Sequence, residues 1–506
     1  MAEIFAFSPF GYEGSLVSIE VDLRRGIPAV DIVGLSDGAV KEIRERVRAA
    51  IRNSGFEFPA ERVLISLSPA DLKKEGSGFD LSVALGILNA KEEASYIKEK
   101  VLVIGELELS GAVRLVKGVH AAITTAVASG IRYVIVPEAN RKEAEACEGI
   151  KVIGVRNLSE AESALKDLSC FVEQTDMRDT KIGIEFPKPL GNEKEDIELP
   201  KNLIRAIEIA VAGKHSLLVC GRPGCGKTLA VQTLVPCLTP KLTSEESQSV
   251  TRIWSLAGLM KPNESFIKDT PFRMPHQTAS IEGICGGGIS CRPGEVSLAH
   301  NGILFLDEAA EFRSSVLQML RVPMESHTIT LSRAGRSTCY PANFQLIMAT
   351  NPCPCGNYGS KKRICLCSAK SVQQYWNKFS APLLDRIQIM VHIQDDAETE
   401  TVNYEELKDH INRAFEIQRN NGAYNSNLNP YELSERAKLE KDALDILDKW
   451  LEEHDVGERR GSNILKVALT IANIDGREII SNEDVLESIS YSKLLNWQHI
   501  EEECHV

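Results

Sequence analysis

The sequence predicts an α/β protein, and three observations point there. Residues 1–168 alternate strand-like and helix-like segments. Gly221-Arg222-Pro223-Gly224-Cys225-Gly226-Lys227-Thr228 matches the phosphate-loop pattern G-x-x-x-x-G-K-[ST] at every fixed position, between the apolar run His215–Cys220 and the helix-like run Leu229–Leu234. A second apolar run, Ile303–Leu306, ends in Asp307-Glu308 about 80 residues further on, as expected of a buried strand with carboxylates at its C-terminal end.

The loop composition suits a triphosphate. Glycines let consecutive N–H groups face phosphate oxygens, and the following helix N-terminus adds positive potential. Gly221, Pro223, Gly224, Cys225, Gly226 and Leu229 form or flank the cradle. Lys227 is expected to reach the β- and γ-phosphates of ATP, and the Thr228 hydroxyl to hold Mg²⁺. Asp307 is expected in the Mg²⁺ shell, with Glu308 polarising the attacking water. Cys225 reads as a small filler residue rather than a nucleophile.

Bulk properties bound the rest. The 506 residues suggest about three domains. Hydrophobic content of 43% and charged content of 25% are ordinary for a globular chain. No apolar run approaches the ~18 residues of a membrane span. Met1-Ala2-Glu3-Ile4 lacks a basic region followed by an apolar core, so no signal peptide is expected. A net charge of −13 argues against a broadly basic surface, though not against a local basic pore. Thirteen cysteines in so long a chain do not read as a disulfide framework, so the expected compartment is the reducing cytoplasm.

Along the chain, Leu16–Val21, Arg62–Leu67, Val101–Gly105 and Tyr133–Pro137 read as strands, and Ala39–Asn53, Phe79–Ala90 and Ala121–Ser129 as helices. The basic residues Lys41, Arg44, Arg46 and Arg48 read as a solvated helix face. The run Ser68–Leu81, with Gly105-Glu106-Leu107 through Lys117-Gly118-Val119 and Ile135-Val136-Pro137, resembles the N-terminal domain of the ComM/YifB family of magnesium-chelatase-like AAA+ ATPases. The resemblance implies a Lon-protease-like (ribosomal S5 domain 2-like) fold over residues 1–168. Gly78 stands where the Lon-type Ser would be and His120 where the Lys would be, so protease chemistry is expected to be absent. Ser77, one position off, reads as a turn residue.

Residues 169–198 are polar, with Pro187, Pro189 and Gly191, and read as a linker. The resemblance then implies an AAA+ core over 199–400 and a C-terminal helical lid over 401–506. Ile197–Lys201 departs from the family's element before the first core helix, Asn202–Ala212. Thr328–Ser332 with the turn Arg333–Arg336 resembles the inserted β-hairpin of this branch, implying DNA contacts at Arg333 and Arg336, with a second trans-acting arginine or a solvated turn residue the alternatives for Arg333. Phe344–Ala349 reads as a strand, and Asn351 matches the sensor-1 position. Arg386, in Ser380–Ile387, matches the arginine finger that completes a neighbouring subunit's site. Leu439–His454, Asn463–Asn473 and Val485–Leu495 read as lid helices. Arg459 matches the sensor-2 arginine, while Gly457, Asn463 and Leu469 depart from the pattern.

Cys353-Pro354-Cys355 and Cys365-Leu366-Cys367 form two C-x-C pairs. Four thiolates around a short polar loop suit a structural Zn²⁺; free thiols or a redox pair are the alternative. The resemblance covers nearly the whole chain. It implies a ring-forming homo-oligomer, a hexamer, acting as a DNA helicase in branch migration. An ATP-driven remodelling chaperone working on protein is the alternative.

Overall fold

The computed structural model describes residues 3–34, 37–69, 77–91, 99–168, 197–333, 336–454 and 457–492. Two sheets organise it, each covered on both faces.

The first sheet has seven strands in the spatial order Val30–Val33, Arg62–Ser68, Ser15–Arg24, Ile4–Ser8, Val101–Val103, Tyr133–Pro137, Lys151–Val155. Its side chains alternate faces, as a strand's period of two requires. Val101, Val103 and Ile135 join the cluster of helices Asp37–Asn53, Asp80–Lys91 and Leu158–Lys166. Leu102, Ile104, Val134 and Val136 join the opposite cluster with helix Val119–Ala128.

Ser77–Phe79 forms a short 3₁₀ turn before Asp80–Lys91, and Gly78 accepts a bond from Gly105 N–H. His120 lies on the other face, its ring 6.1 Å from that of Phe266. Burial, then the nearby Arg252 charge, pushes its pKa down to about 4. The solvated-face expectation fails at Arg46, whose Nε lies 3.2 Å from the fully buried Asp80 carboxylate and whose Nη1 lies 3.2 Å from Glu106.

The second sheet has five parallel strands in the order Phe272–Arg273, Ile303–Leu306, Gln345–Thr350, Leu217–Gly221, Ile389–Ile393. Parallel strands must be buried on both faces, which is why they read as continuous apolar runs. Leu217, Val219, Ile303, Phe305, Ile347 and Ala349 face helices Lys201–Gly213, Lys227–Leu238, Tyr404–Asn420 and Glu458–Ile474. Leu218, Cys220, Leu304, Leu306, Leu346 and Met348 face helices Ile281–Cys285, Ser314–Met319 and Ala369–Trp376.

Glu198–Pro200, expected at a linker boundary, is a short strand paired with Thr399–Thr401. The rest of the expected linker, and the lid segment after Ser492, lie outside the described residues. Among the described residues no helix is long and apolar enough to cross a membrane.

The two sheets meet through polar side chains as well as packing. Ser255 donates to Glu143 at 2.5 Å, Arg252 Nε to the Tyr12 carbonyl at 3.0 Å, and Tyr12 N–H to Thr338 Oγ1 at 3.0 Å. Burial raises the Glu143 pKa, against the pull of Ser255, Asn140 and the His120 N–H.

Candidate nucleotide site and the four-cysteine loop

Parallel strands put all their C-terminal ends on one edge, where crossover loops converge. On that edge the chain turns at Gly224 and Gly226, with φ of 84° and 86°, into helix Lys227–Leu238. Only glycine adopts such angles without strain. Lys227 Nζ folds back onto the Gly221 and Arg222 carbonyls, at 2.5 and 2.8 Å. Its desolvation lowers the ammonium pKa. Asn351 Oδ1 accepts from the same Nζ at 3.2 Å, so the residue after strand Gln345–Thr350 faces the loop.

Thr228 Oγ1 lies 3.1 and 3.0 Å from the two Asp307 oxygens. A hydroxyl and a carboxylate at that separation suit a shared Mg²⁺ shell. The next residue, Glu308, has φ of 49°, a left-handed angle uncommon outside glycine, and its side chain is exposed. Lys227, Thr228, Asp307 and Asn351 are therefore gathered at one place, with Glu308 beside them. Pro223, Gly224 and Leu229 are exposed at the rim, while Cys225 Sγ lies 3.9 Å from Lys227 Nζ.

Arg386 and Arg459 are elsewhere. The Arg386 carbonyl accepts from Ser216 Oγ at 2.7 Å, just before strand Leu217–Gly221 begins. A strand rises about 3.3 Å per residue, so roughly 16 Å of sheet separates that point from Gly221. Arg386 Nη2 meets Glu325 at 2.7 Å, and Arg459 Nη2 meets the same Glu325 oxygen at 2.5 Å. Hydrogen bonds from Arg386, then Arg459, hold the Glu325 carboxyl below its usual pKa. Among the described residues, neither arginine makes a hydrogen bond or ion pair to its own chain's phosphate loop. Nothing in the sequence singles out Glu325, since an isolated Glu carries no pattern.

The hairpin Thr328–Arg333 / Arg336–Pro341 forms in register, with Arg333 opposite Arg336. Its arginines have partners. Arg336 stacks over the Phe10 ring at 3.6 Å, and Arg333 lies 3.7 Å from Glu282. Residues 334 and 335 lie outside the described residues.

The four cysteines converge as their spacing suggested. Cys353 Sγ lies 3.4 Å from Cys355 and 3.7 Å from Cys365, Cys355 lies 3.6 Å from Cys365, and with Cys367 all ligand atoms fall within 4.8 Å. A tetrahedron with Zn–S bonds near 2.3 Å has edges of about 3.8 Å. The donor set thus fits a closed four-sulfur site. Burial opposes ionisation of Cys355, but bonds from Asn357 and Leu366 N–H and from neighbouring thiols bring its pKa down to about 6.

A phosphate loop and an Asp-Glu strand end on a five-stranded parallel sheet define a nucleotide-site fold of the AAA+ type. The family models agree: "Magnesium chelatase, subunit ChlI" matches residues 194–401, "Subunit ChlI of Mg-chelatase" 19–140, and "Magnesium chelatase, subunit ChlI C-terminal" 402–492. The chain is 36% identical to the uncharacterized protein YifB of Escherichia coli, covering 95% of each chain. It is 35% identical to the competence protein ComM of Haemophilus influenzae, covering 98% of each. An archaeal Lon protease of Methanocaldococcus jannaschii is 27% identical over 27% of this chain and 21% of its own. The chain belongs to the ComM/YifB family of magnesium-chelatase-like proteins.

Proposed function

We propose that this protein is a Mg²⁺-dependent ATPase that works as a ring, with DNA as its track. The convergence of Lys227, Thr228, Asp307 and Asn351 on one sheet edge carries the ATPase reading. Lys227 binds the phosphates once its Nζ leaves the Gly221 and Arg222 carbonyls. Thr228 and Asp307 hold Mg²⁺, which neutralises phosphate charge; Asn351 and Glu308 orient the attacking water.

Arg386, on the far edge, serves the site of the next copy, and Arg459 lies beside it. That placement supports a homo-oligomer, for which a hexamer is the proposed size. Within this reading, residues 1–168 form a Lon-like module without protease chemistry, 199–400 the motor, and 401–506 its lid. The protein acts in the cytoplasm.

DNA is favoured by kinship with a competence protein. The reading is that of a helicase driving branch migration, with Arg333 and Arg336 meeting phosphates. One observation favours the second reading, a remodeller acting on protein: Arg336 is already stacked on Phe10. ATP turnover with and without single-stranded and branched DNA separates them. Stimulation is expected; indifference to both DNAs shifts the assignment to the protein remodeller.

A further inference from the structure

The four-cysteine loop and the phosphate loop lie more than a hundred residues apart in the chain, yet they are joined by one direct contact, one bridging carboxylate and one shared core cluster. Gly356, between the two Cys pairs, has φ of 76°, and a Cβ built on it would lie 2.5 Å from Pro223 Cδ. Pro223 therefore packs directly on the backbone that follows Cys355. Ser360 Oγ donates to Asp395 at 2.6 Å, and Asp395 pairs with Arg222 at 2.5 Å. Cys353 is fully buried in the same cluster as Cys220, the residue before Gly221.

A few more contacts hold this loop: Trp376 Nε1 donates to the Pro352 carbonyl at 3.0 Å, Lys361 pairs with Asp396 at 2.7 Å, and Tyr358, Cys365 and Cys367 pack against the core beside Cys353. From Asn351 to Ser368 it contains neither helix nor strand. Its apolar side chains Ile364 and Leu366 are 83% and 88% exposed. Its internal order comes from a few turns, such as Gly356 N–H to the Cys353 carbonyl at 2.9 Å, and from whatever joins the four sulfurs. A cross-link through the four sulfurs restricts the backbone that carries these contacts.

We propose that this loop is a metal-dependent brace for the phosphate loop, so that filling the four-sulfur site sets how tightly nucleotide is held. With Zn²⁺ bound, Gly356 supports Pro223, and Ser360 aims Asp395 at Arg222. The cradle is then pre-formed, and binding does not have to order it. Without the metal both supports loosen together, and nucleotide affinity falls while Lys227 and Asp307 stay intact. The brace rests on reading the cysteines as a metal site and Gly221–Thr228 as a phosphate cradle.

The test uses the full chain, stripped with a chelator and reloaded with Zn²⁺ alone, with MgADP affinity measured by calorimetry in both forms. Affinity about tenfold weaker in the stripped form, restored by one zinc per chain, is expected, the loss of roughly one charge-assisted contact. Equal affinity in both forms overturns the brace and leaves the metal site standing. Failure of the native chain to take up zinc overturns the metal reading beneath it. Absence of MgADP binding in either form overturns the cradle reading. Ser360→Ala and Gly356→Ala keep all four thiolates and report without stripping. Native zinc content with weakened MgADP binding is expected, and native affinity in both variants overturns the brace.

Discussion

Single side chains set the chemistry here, and Lys227 is the plainest case. It is the ammonium at the loop, held by two carbonyls and Asn351 that a phosphate would replace. Lys227→Ala is expected to abolish ATP turnover, measured as phosphate release; retained turnover would remove the cradle from its role. His215 is a second case. It is fully buried between Gln388 and Thr470, and desolvation pushes its pKa down to about 3. The folded chain keeps it neutral, whereas the unfolded chain protonates it near pH 6.5. The unfolded state therefore binds more protons below pH 6.5, and stability falls with acidity down to about pH 3. One such proton contributes about 1.4 kcal/mol per pH unit. His215→Gln is expected to flatten the drop in melting temperature between pH 6.5 and 4, read by circular dichroism. An unchanged slope would exclude His215 as a source of acid sensitivity.

At the scale of elements, legibility followed periodicity. The parallel strands are buried on both faces, so Ile303–Leu306 and Leu217–Gly221 stood out as apolar runs. Strands Val30–Val33 and Lys151–Val155 are interrupted by Asp31 and Gly154, and the short apolar run Ile4–Ser8 has no alternation to tell strand from helix. Helix boundaries such as Asp37–Asn53 and Val119–Ala128 moved by about two residues, the usual ambiguity at helix ends. The candidate site was legible where its residues are neighbours in a motif. Glu325, Asp395 and Gly356 were not, because their partners Arg386, Arg222 and Pro223 lie far away in sequence. The four-cysteine loop lies between: its spacing suggested a cluster, and only the fold brings its thiols within 4.8 Å. Metal analysis of the purified protein is expected to give about one zinc per chain. A well-folded chain without zinc would leave these as ordinary thiols.

The whole molecule has a direction. Its phosphate loop faces one edge of the central sheet, and Arg386 with Arg459 faces the other. Mixing Arg386→Ala chains with Glu308→Gln chains is expected to recover part of the ATP turnover that each lacks alone, through hybrid contacts pairing an intact Arg386 with an intact Glu308. No recovery at any ratio would argue that each chain works alone. The first sheet is also tied to the nucleotide-site unit, since Tyr12 and Phe10 grip the hairpin through Thr338 and Arg336.

The separation of Arg386 from its own phosphate loop carries one more consequence. A donor on one side and an acceptor on the other cannot be satisfied by two copies facing each other about a dyad, only by copies queued front to back. A queue that fails to bend shut leaves an unserved pocket at one end and an idle guanidinium at the other. In the proposed ring, a copy lacking Arg386 then silences the pocket next door rather than its own.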